Sequence, residues 1–377
     1  LDDLFPNNPV FIYHLSGHGA FANTKALESA GIDKNTADPT GGFFEKDEFG
    51  ELTDFLSGQP AFTMVKGFPT PNEKSARLAA KQRASVGVTT ASELAFMNED
   101  TLASVRDMTA DGKFPMRIVG GYFSTAPDVQ TVLPKIKQYE NSLLSVPFVK
   151  TWTDGSIQGG TGSLSDGYYD KNFGGDGVQG TQEFFNQQML TIYQMGMWPA
   201  IHANGDNAVE IAINAIEYAQ KNSDVDHSFI RPQIIHSQVT NPVQIARMAK
   251  LGINPSFFVT HVYYWGDLHQ KTTLGPEKSK RLSAMADAFE HGLKATMHND
   301  PPVSPVNPLL NMWISMKRET TSGKILGKEQ TISAKQALQA YTINAAYQFG
   351  MENMAGSLEV GKFADFVFLN ANPPKVT

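Results

Sequence analysis

The sequence predicts an α/β chain in which parallel strands alternate with helices and close into a barrel, and three observations carry that expectation. Strand-like apolar runs alternate with amphipathic helical patterns from Asn72 to about Phe349. Seven of those runs end on Glu93, Tyr122, Lys150, His202, His236, His261 and Asp300, mostly residues that can bind a metal or move a proton. No GxGxxG turn follows the first strand-like run and no GxxxxGK[ST] loop is present, which removes the phosphate-binding signature of a dinucleotide-binding doubly wound sheet. In a TIM-type (β/α)8 barrel the catalytic groups sit at the C-terminal ends of several strands, where these residues fall. Eight strands are needed for such a barrel, so the first is expected to be missing from a chain that starts LDDLFPNNP.

In chain order, PVFIYHLSGH (residues 9–18) is the first strand-like run, carrying His14 and His18, and NTKALESAGI is a short helix closed by Gly31. Residues 1–71 read as an insert and loop region ahead of strand two, with FEKDEFGEL a hairpin or excursion around Phe49 and Gly50. NEKSARLAAKQRASV and MNEDTLASVRDMTADGK are helices, each followed by a strand, GVTTASE to Glu93 and FPMRIVGGYF. VQTVLPKIKQYENS is helical despite Pro134, and VPFVKTWTDG is a buried run ending around Lys150, Trp152 and Asp154. Nine glycines in residues 155–181 suggest an adjustable lid or substrate loop. The strands MWPAIHANGD, PQIIHSQ, INPSFFVTH and LKATMHND then alternate with helices, and residues 262–276 form a second specificity loop. Pro301, Pro302, Pro305 and Pro308 stop any continuation after Asp300. The barrel therefore spans 72–350, and 351–377, with GSLEVGKFADFVFLN alternating like an exposed strand pair, lies outside it.

With 377 residues and 41% apolar content, the chain can bury a large core. A formal charge of −7 and the absence of any Lys/Arg run argue against nucleic acid or an anionic membrane as partner, leaving a small molecule. No stretch approaches the roughly 18 continuous apolar residues of a membrane span. Cysteine is absent, so a metal would rest on His, carboxylate or modified Lys. The compartment stays open between cytoplasm and periplasm, and a homodimer is left open as well.

The segments SGHGAFANTKALESAGI, VKTWTDGS, IHANGD, IIHSQ, FFVTHVYYWGD, HNDPPVSP and AGSLEVGKFADFVFLN together resemble the amidohydrolase superfamily, over almost the whole chain. The resemblance is to its family 3 branch, which includes N-substituted formamide deformylases. It implies a barrel holding one or two divalent metals and a small composite β-sandwich built from both chain ends, 351–377 supplying the C-terminal part. Carried over by position, His202 and His236 become metal ligands, and Asp300 the strand-eight carboxylate that touches the metal and shuttles the proton. Lys150, when carboxylated, bridges two metals, with Glu93 the alternative bridging ligand. The family's His-x-His pair of the first strand occurs nowhere in this sequence. Either it lies upstream of Leu1 or the site is incomplete.

Neutral imidazoles and a carboxylate suit zinc or a similar ion, whose open position lowers the pKa of water towards about 7. Asp300 then acts as general base and afterwards as acid, and the metal or His261 polarises the scissile carbonyl. Trp152, Tyr264 and Trp265 are candidates to line the substrate pocket. His298, two residues before Asp300, would share its face one layer deeper and orient neighbours. Each assignment has a structural alternative: a hydrogen-bonded strand-end His, a Lys150–Asp154 ion pair, Asp300 capping a turn, aromatics packing core, and Asp267 and His269 as solvated loop residues. The expected function is a metal-dependent hydrolase acting on a non-peptide C–N bond, in an amide, formamide or cyclic amide. The alternative is a binding or regulatory protein that keeps the fold without turnover.

Overall fold

The structure, a computed structural model, describes residues 1–14, 17–39, 42–65 and 72–372. The chain divides into two compact units, Leu1–Pro71 with Pro301–Pro305, and Asn72–Asp300 with Val306–Thr377.

In the first unit β1 (Phe11–Tyr13), β2 (Gly19–Ala22), β3 (Phe43–Lys46) and β4 (Leu52–Ser57) form an antiparallel sheet in the order β1-β2-β4-β3. The single run expected over 9–18 therefore supplies β1 alone, and its antiparallel partner β2 starts only at Gly19; residues 15 and 16 lie outside the described residues. β3 and β4 are the hairpin expected around Phe49, whose turn is held by the Asp47 carboxylate accepting the N–H groups of Phe49 and Glu51, both at 2.9 Å. Asn23 caps the helix Thr24–Ala30 through the N–H of Ala26, and Gly31 ends it in the left-handed region.

The second unit is built on seven parallel strands: β5 (Thr90–Phe96), β6 (Arg117–Phe123), β7 (Leu144–Trp152), β8 (Trp198–Ala203), β9 (Gln233–His236), β10 (Asn254–Phe257) and β11 (Thr296–Met297). Each pairs with its neighbours in chain order, so the sheet has no switch point and is not doubly wound. It is also curled. Six strand spacings would set β5 and β11 roughly 29 Å apart in a flat sheet, yet Glu93 on β5 and Asp300 just beyond β11 feel each other's charge.

The helices that follow the strands bury one face against the sheet. In Asp206–Asn222 the buried set Val209, Ala212, Ile213, Ile216 and Ala219 recurs every three or four residues. Each of its large aliphatic side chains contributes about 1.5–3 kcal/mol by leaving water.

Three elements depart from expectation for physical reasons. Pro134 shortens its helix to Val129–Val132 and leaves the tighter 3₁₀ turns of Leu133–Tyr139. A helix at Pro308–Lys317 was not anticipated, although Asn307 caps it through Leu310 N–H and Pro308 occupies its first position. Residues 351–372 contain no strand: Leu358 and Phe368 are exposed, and among the described residues no strand pairs with this segment. Among the described residues no helix is long and apolar enough to cross a membrane.

Candidate functional site

Strand register brings the histidines to one level. Trp152 of β7 pairs with His202 of β8, and Ala203 pairs with His236 of β9, which in turn pairs with Phe257 of β10. His298 follows β11 directly and ties back through its N–H to the Phe257 carbonyl at 3.1 Å. Three imidazoles then stand in series. His202 Nδ1 lies 3.0 Å from His236 Nε2, and His236 Nδ1 lies 3.0 Å from His298 Nε2. The outer ends of the row are Gly155 O, 2.9 Å from His202 Nε2, and Ser256 Oγ, 2.9 Å from His298 Nδ1.

His236, Ser237 and Asp300 have φ of 74°, 43° and 48°, a left-handed backbone that non-glycine residues rarely adopt. Such conformations cost of order 1–3 kcal/mol each and cluster where a side chain must be aimed rather than merely packed.

Beside this row lies a charged trio. Lys150 is buried on β7; desolvation pulls its amine down to about 8, while the charges of Asp300 and Glu93 act the other way. Desolvation raises both carboxyls, although each remains exposed at the surface, and Lys150 opposes this in each. The Lys150–Asp154 ion pair considered from sequence does not form. Asp154 instead accepts the N–H groups of Ser163, Asn204 and Gly205 at 2.8–2.9 Å. Burial still lifts its carboxyl to about 7 against those three bonds.

Asp154 thereby fastens residues 155–163 to the end of β8, and the glycine-rich loop is closely packed on itself at several points. A Cβ on Gly177 would come within 1.7 Å of the Thr161 carbonyl oxygen, and one on Gly205 within 1.7 Å of the Ser163 carbonyl oxygen. Glycine serves here for close backbone approach, with Ile157, Leu164 and Tyr168 buried beneath. From this loop Gln158 Nε2 reaches His261 Nε2 at 3.3 Å.

Three further expectations are corrected. His261 is not a strand tip: β10 stops at Phe257, and His261 is the second residue of the helix Thr260–Leu268. The apolar, aromatic run Val262–Trp265 favours helix over loop, so most of the expected loop 262–276 is helical, continuing as a π-helical turn His269–Thr273. His269 is fully buried rather than solvated, bonded to Gln238 at 2.9 Å and Thr273 at 2.7 Å. Sequence could not reveal this, because a polar residue after an aromatic run reads as surface.

Trp152 stacks 5.5 Å from the His202 ring, and Trp265 5.4 Å from His261, while Tyr264 touches Trp265 at 5.7 Å and remains partly exposed. The Phe258 ring sits against both His261 and His298, at 4.3 and 5.1 Å.

Burial lowers His269 from 6.5 to about 3. The unfolded chain therefore takes up this proton first as pH falls, so the neutral group's contribution is complete above about pH 6.5 and lost on acidification towards 3. In His269→Gln, urea unfolding between about pH 6 and 4 should show a stability slope shallower by up to about 1.4 kcal/mol per pH unit. An unchanged slope would refute this account of His269.

Whether the row fits a metal can be judged from its atoms. A tetrahedral ion about 2.0–2.1 Å from each of two nitrogens holds them roughly 3.3 Å apart, close to the 3.0 Å between His202 Nδ1 and His236 Nε2. Gly155 O takes the other nitrogen of His202, the outer hydrogen bond that metal-ligating histidines usually make. Among the described residues no three His, Asp or Glu side chains gather tightly enough to hold an ion by themselves. His298 stands behind His236 rather than beside it. The pair fits, and the charge of Lys150 acts on both His236 and Asp300.

A family model described as "Amidohydrolase family" matches residues 1–377. N-substituted formamide deformylase of Arthrobacter pascens is 26% identical over 396 residues, covering 99% of this chain and 70% of that protein. Protein LONG AFTER FAR-RED 3 of Arabidopsis thaliana is 30% identical over 392 residues, covering 99% of this chain and 66% of its own length. Among solved structures, an uncharacterised metal-dependent hydrolase from Pyrococcus horikoshii OT3 superposes with a TM-score of 0.77 at 23% identity, over 98% of this chain and 73% of that one. That likeness is one of fold.

Proposed function

The chain belongs to the amidohydrolase family, and from that membership we propose that it is a metal-dependent hydrolase cleaving a non-peptide C–N bond in a small amide, formamide or cyclic amide. The observation that carries the reading is the facing pair His202 Nδ1 and His236 Nε2, at adjacent strand ends beside Lys150, Glu93 and Asp300. His202, His236, Asp300 and a carboxylated Lys150 hold one or two divalent ions, with Glu93 the alternative to Lys150. Carboxylation needs a neutral amine, and burial of Lys150 supplies a share of it. Zinc suits this donor set and supplies Lewis acidity and a more acidic water. Asp300 takes the proton released as water attacks the carbonyl carbon, and returns it to the nitrogen as the C–N bond breaks. His261 donates towards the carbonyl oxygen as charge builds there. Trp152, Tyr264 and Trp265 line the substrate's apolar side. In domain terms, residues 72–350 are proposed as the part that belongs to a TIM-type barrel and 1–71 as an insert to it.

The test is elemental analysis of protein purified without chelator, followed by assays on N-substituted formamides, linear amides and cyclic amides. About one or two equivalents of metal and a hydrolysed substrate are expected. Protein that stays metal-free after incubation with zinc sinks the proposal. His202→Ala should bind zinc at least about tenfold more weakly in the same measurement, against a folded control by circular dichroism.

A further inference from the structure

Pro301 and Pro302 carry no N–H, so the two residues after Asp300 offer no backbone donor to fix its position. Upstream, the chain is held twice. His298 donates its N–H to the Phe257 carbonyl at 3.1 Å, and its own carbonyl accepts from Asn311 Nδ2 at 3.0 Å. A carbonyl can only accept, so this contact settles which end of the Asn311 carboxamide is nitrogen. The second hydrogen of that nitrogen goes to the Tyr341 hydroxyl at 2.5 Å, and Asn311 Oδ1 accepts from Asn299 Nδ2 at 3.2 Å. The Tyr341 hydroxyl keeps its own proton, which faces Asn299 Oδ1 at 3.5 Å. Three side chains thus close a ring in which each hydrogen bond fixes the sense of the next.

Asn311 is fully buried and Asn299 nearly so. The ring joins two helices, Pro308–Lys317 carrying Asn311 and Ala334–Tyr341 ending on Tyr341, to the residue between His298 and Asp300. Apolar side chains of similar volume would pack these helices as well, without the desolvation that buried polar groups carry. What the polar ring adds is direction, because a satisfied buried network rigidifies one arrangement. The left-handed backbone of Asp300, with φ of 48°, needs such support, since conformations of this kind persist only where the surroundings impose them. We propose that Asn311, Tyr341 and Asn299 are positioning residues for Asp300, acting through the backbone of residues 298–300 to aim its carboxylate at the metal. The proposal rests on the reading above of His202, His236 and Asp300 as ligands.

The probe is zinc(II) alone, titrated calorimetrically into metal-free full-length protein. Tyr341→Phe, which removes one hydroxyl and keeps the aromatic packing, and Asn311→Leu should each weaken zinc binding by about 10–100-fold, the usual cost of losing a group that orients a ligand. The same substitutions made on top of Asp300→Ala should cost less than about twofold more, because the carboxylate they aim is already gone. A merely structural role predicts equal losses in both backgrounds. Circular dichroism checks that each variant is folded, and if Asn311→Leu is not, Tyr341→Phe carries the test. Equal losses in the two backgrounds, or full zinc affinity in Tyr341→Phe, overturn the positioning role and leave the metal site standing. If folded wild type binds no zinc, the metal reading falls and the positioning role falls with it.

Discussion

Asp300→Asn is expected to keep the fold and lower turnover by about 10²–10⁴-fold, the range for losing a positioned acid–base group. The amide matches the carboxylate in shape but cannot take up a proton and hand it on. Asp300 sits just past β11 with a left-handed backbone, and its charge acts on Glu93 as that of Lys150 acts on it. Desolvation raises its carboxyl and the charge of Lys150 holds it back. The measurement is kcat on whichever amide the substrate panel identifies, alongside metal content and circular dichroism. Unchanged turnover would sink the shuttle, and loss of metal in parallel would assign Asp300 mainly to coordination.

Arg318→Met should destabilise the protein by about 3–5 kcal/mol in urea unfolding. Arg318 is fully buried, and its guanidinium donates to the carbonyls of Leu326 at 3.0 Å, Ser283 at 3.2 Å and Leu282 at 2.6 Å. Burial works against its charge, drawing the group down to about 10. Removing the fork leaves three acceptors short of a donor, each worth about 1–3 kcal/mol before relaxation. Arg318→Lys should recover less than half, because an ammonium cannot span the three carbonyls in one plane. A loss below about 1 kcal/mol in Arg318→Met would show that water replaces the fork.

The alternation of strand and helix was legible because each helix shows its apolar stripe and each parallel strand is a short apolar run. The strand ends carrying Glu93, Lys150 and His202 were located to within a few residues for the same reason. What escaped depends on contacts distant in sequence. Ser256 looked like an ordinary strand residue until β11 brought His298 against it. His261 follows two phenylalanines that extend the apolar run past the true end of β10, so periodicity alone overshot the strand. Glycine counts in 155–181 said nothing about whether the loop was loose or interlocked, since both need residues without a Cβ.

The interlocking bears on how this protein could be re-engineered. Libraries that randomise residues 155–181 will return mostly misassembled protein, because carbonyl oxygens already occupy the space where new side chains at Gly174 and Gly177 would begin. Variation is better directed to the helix around Tyr264, whose ring is partly exposed and whose neighbours are side chains rather than backbone. Altered substrate preference should therefore emerge there first, under laboratory selection and in natural drift alike.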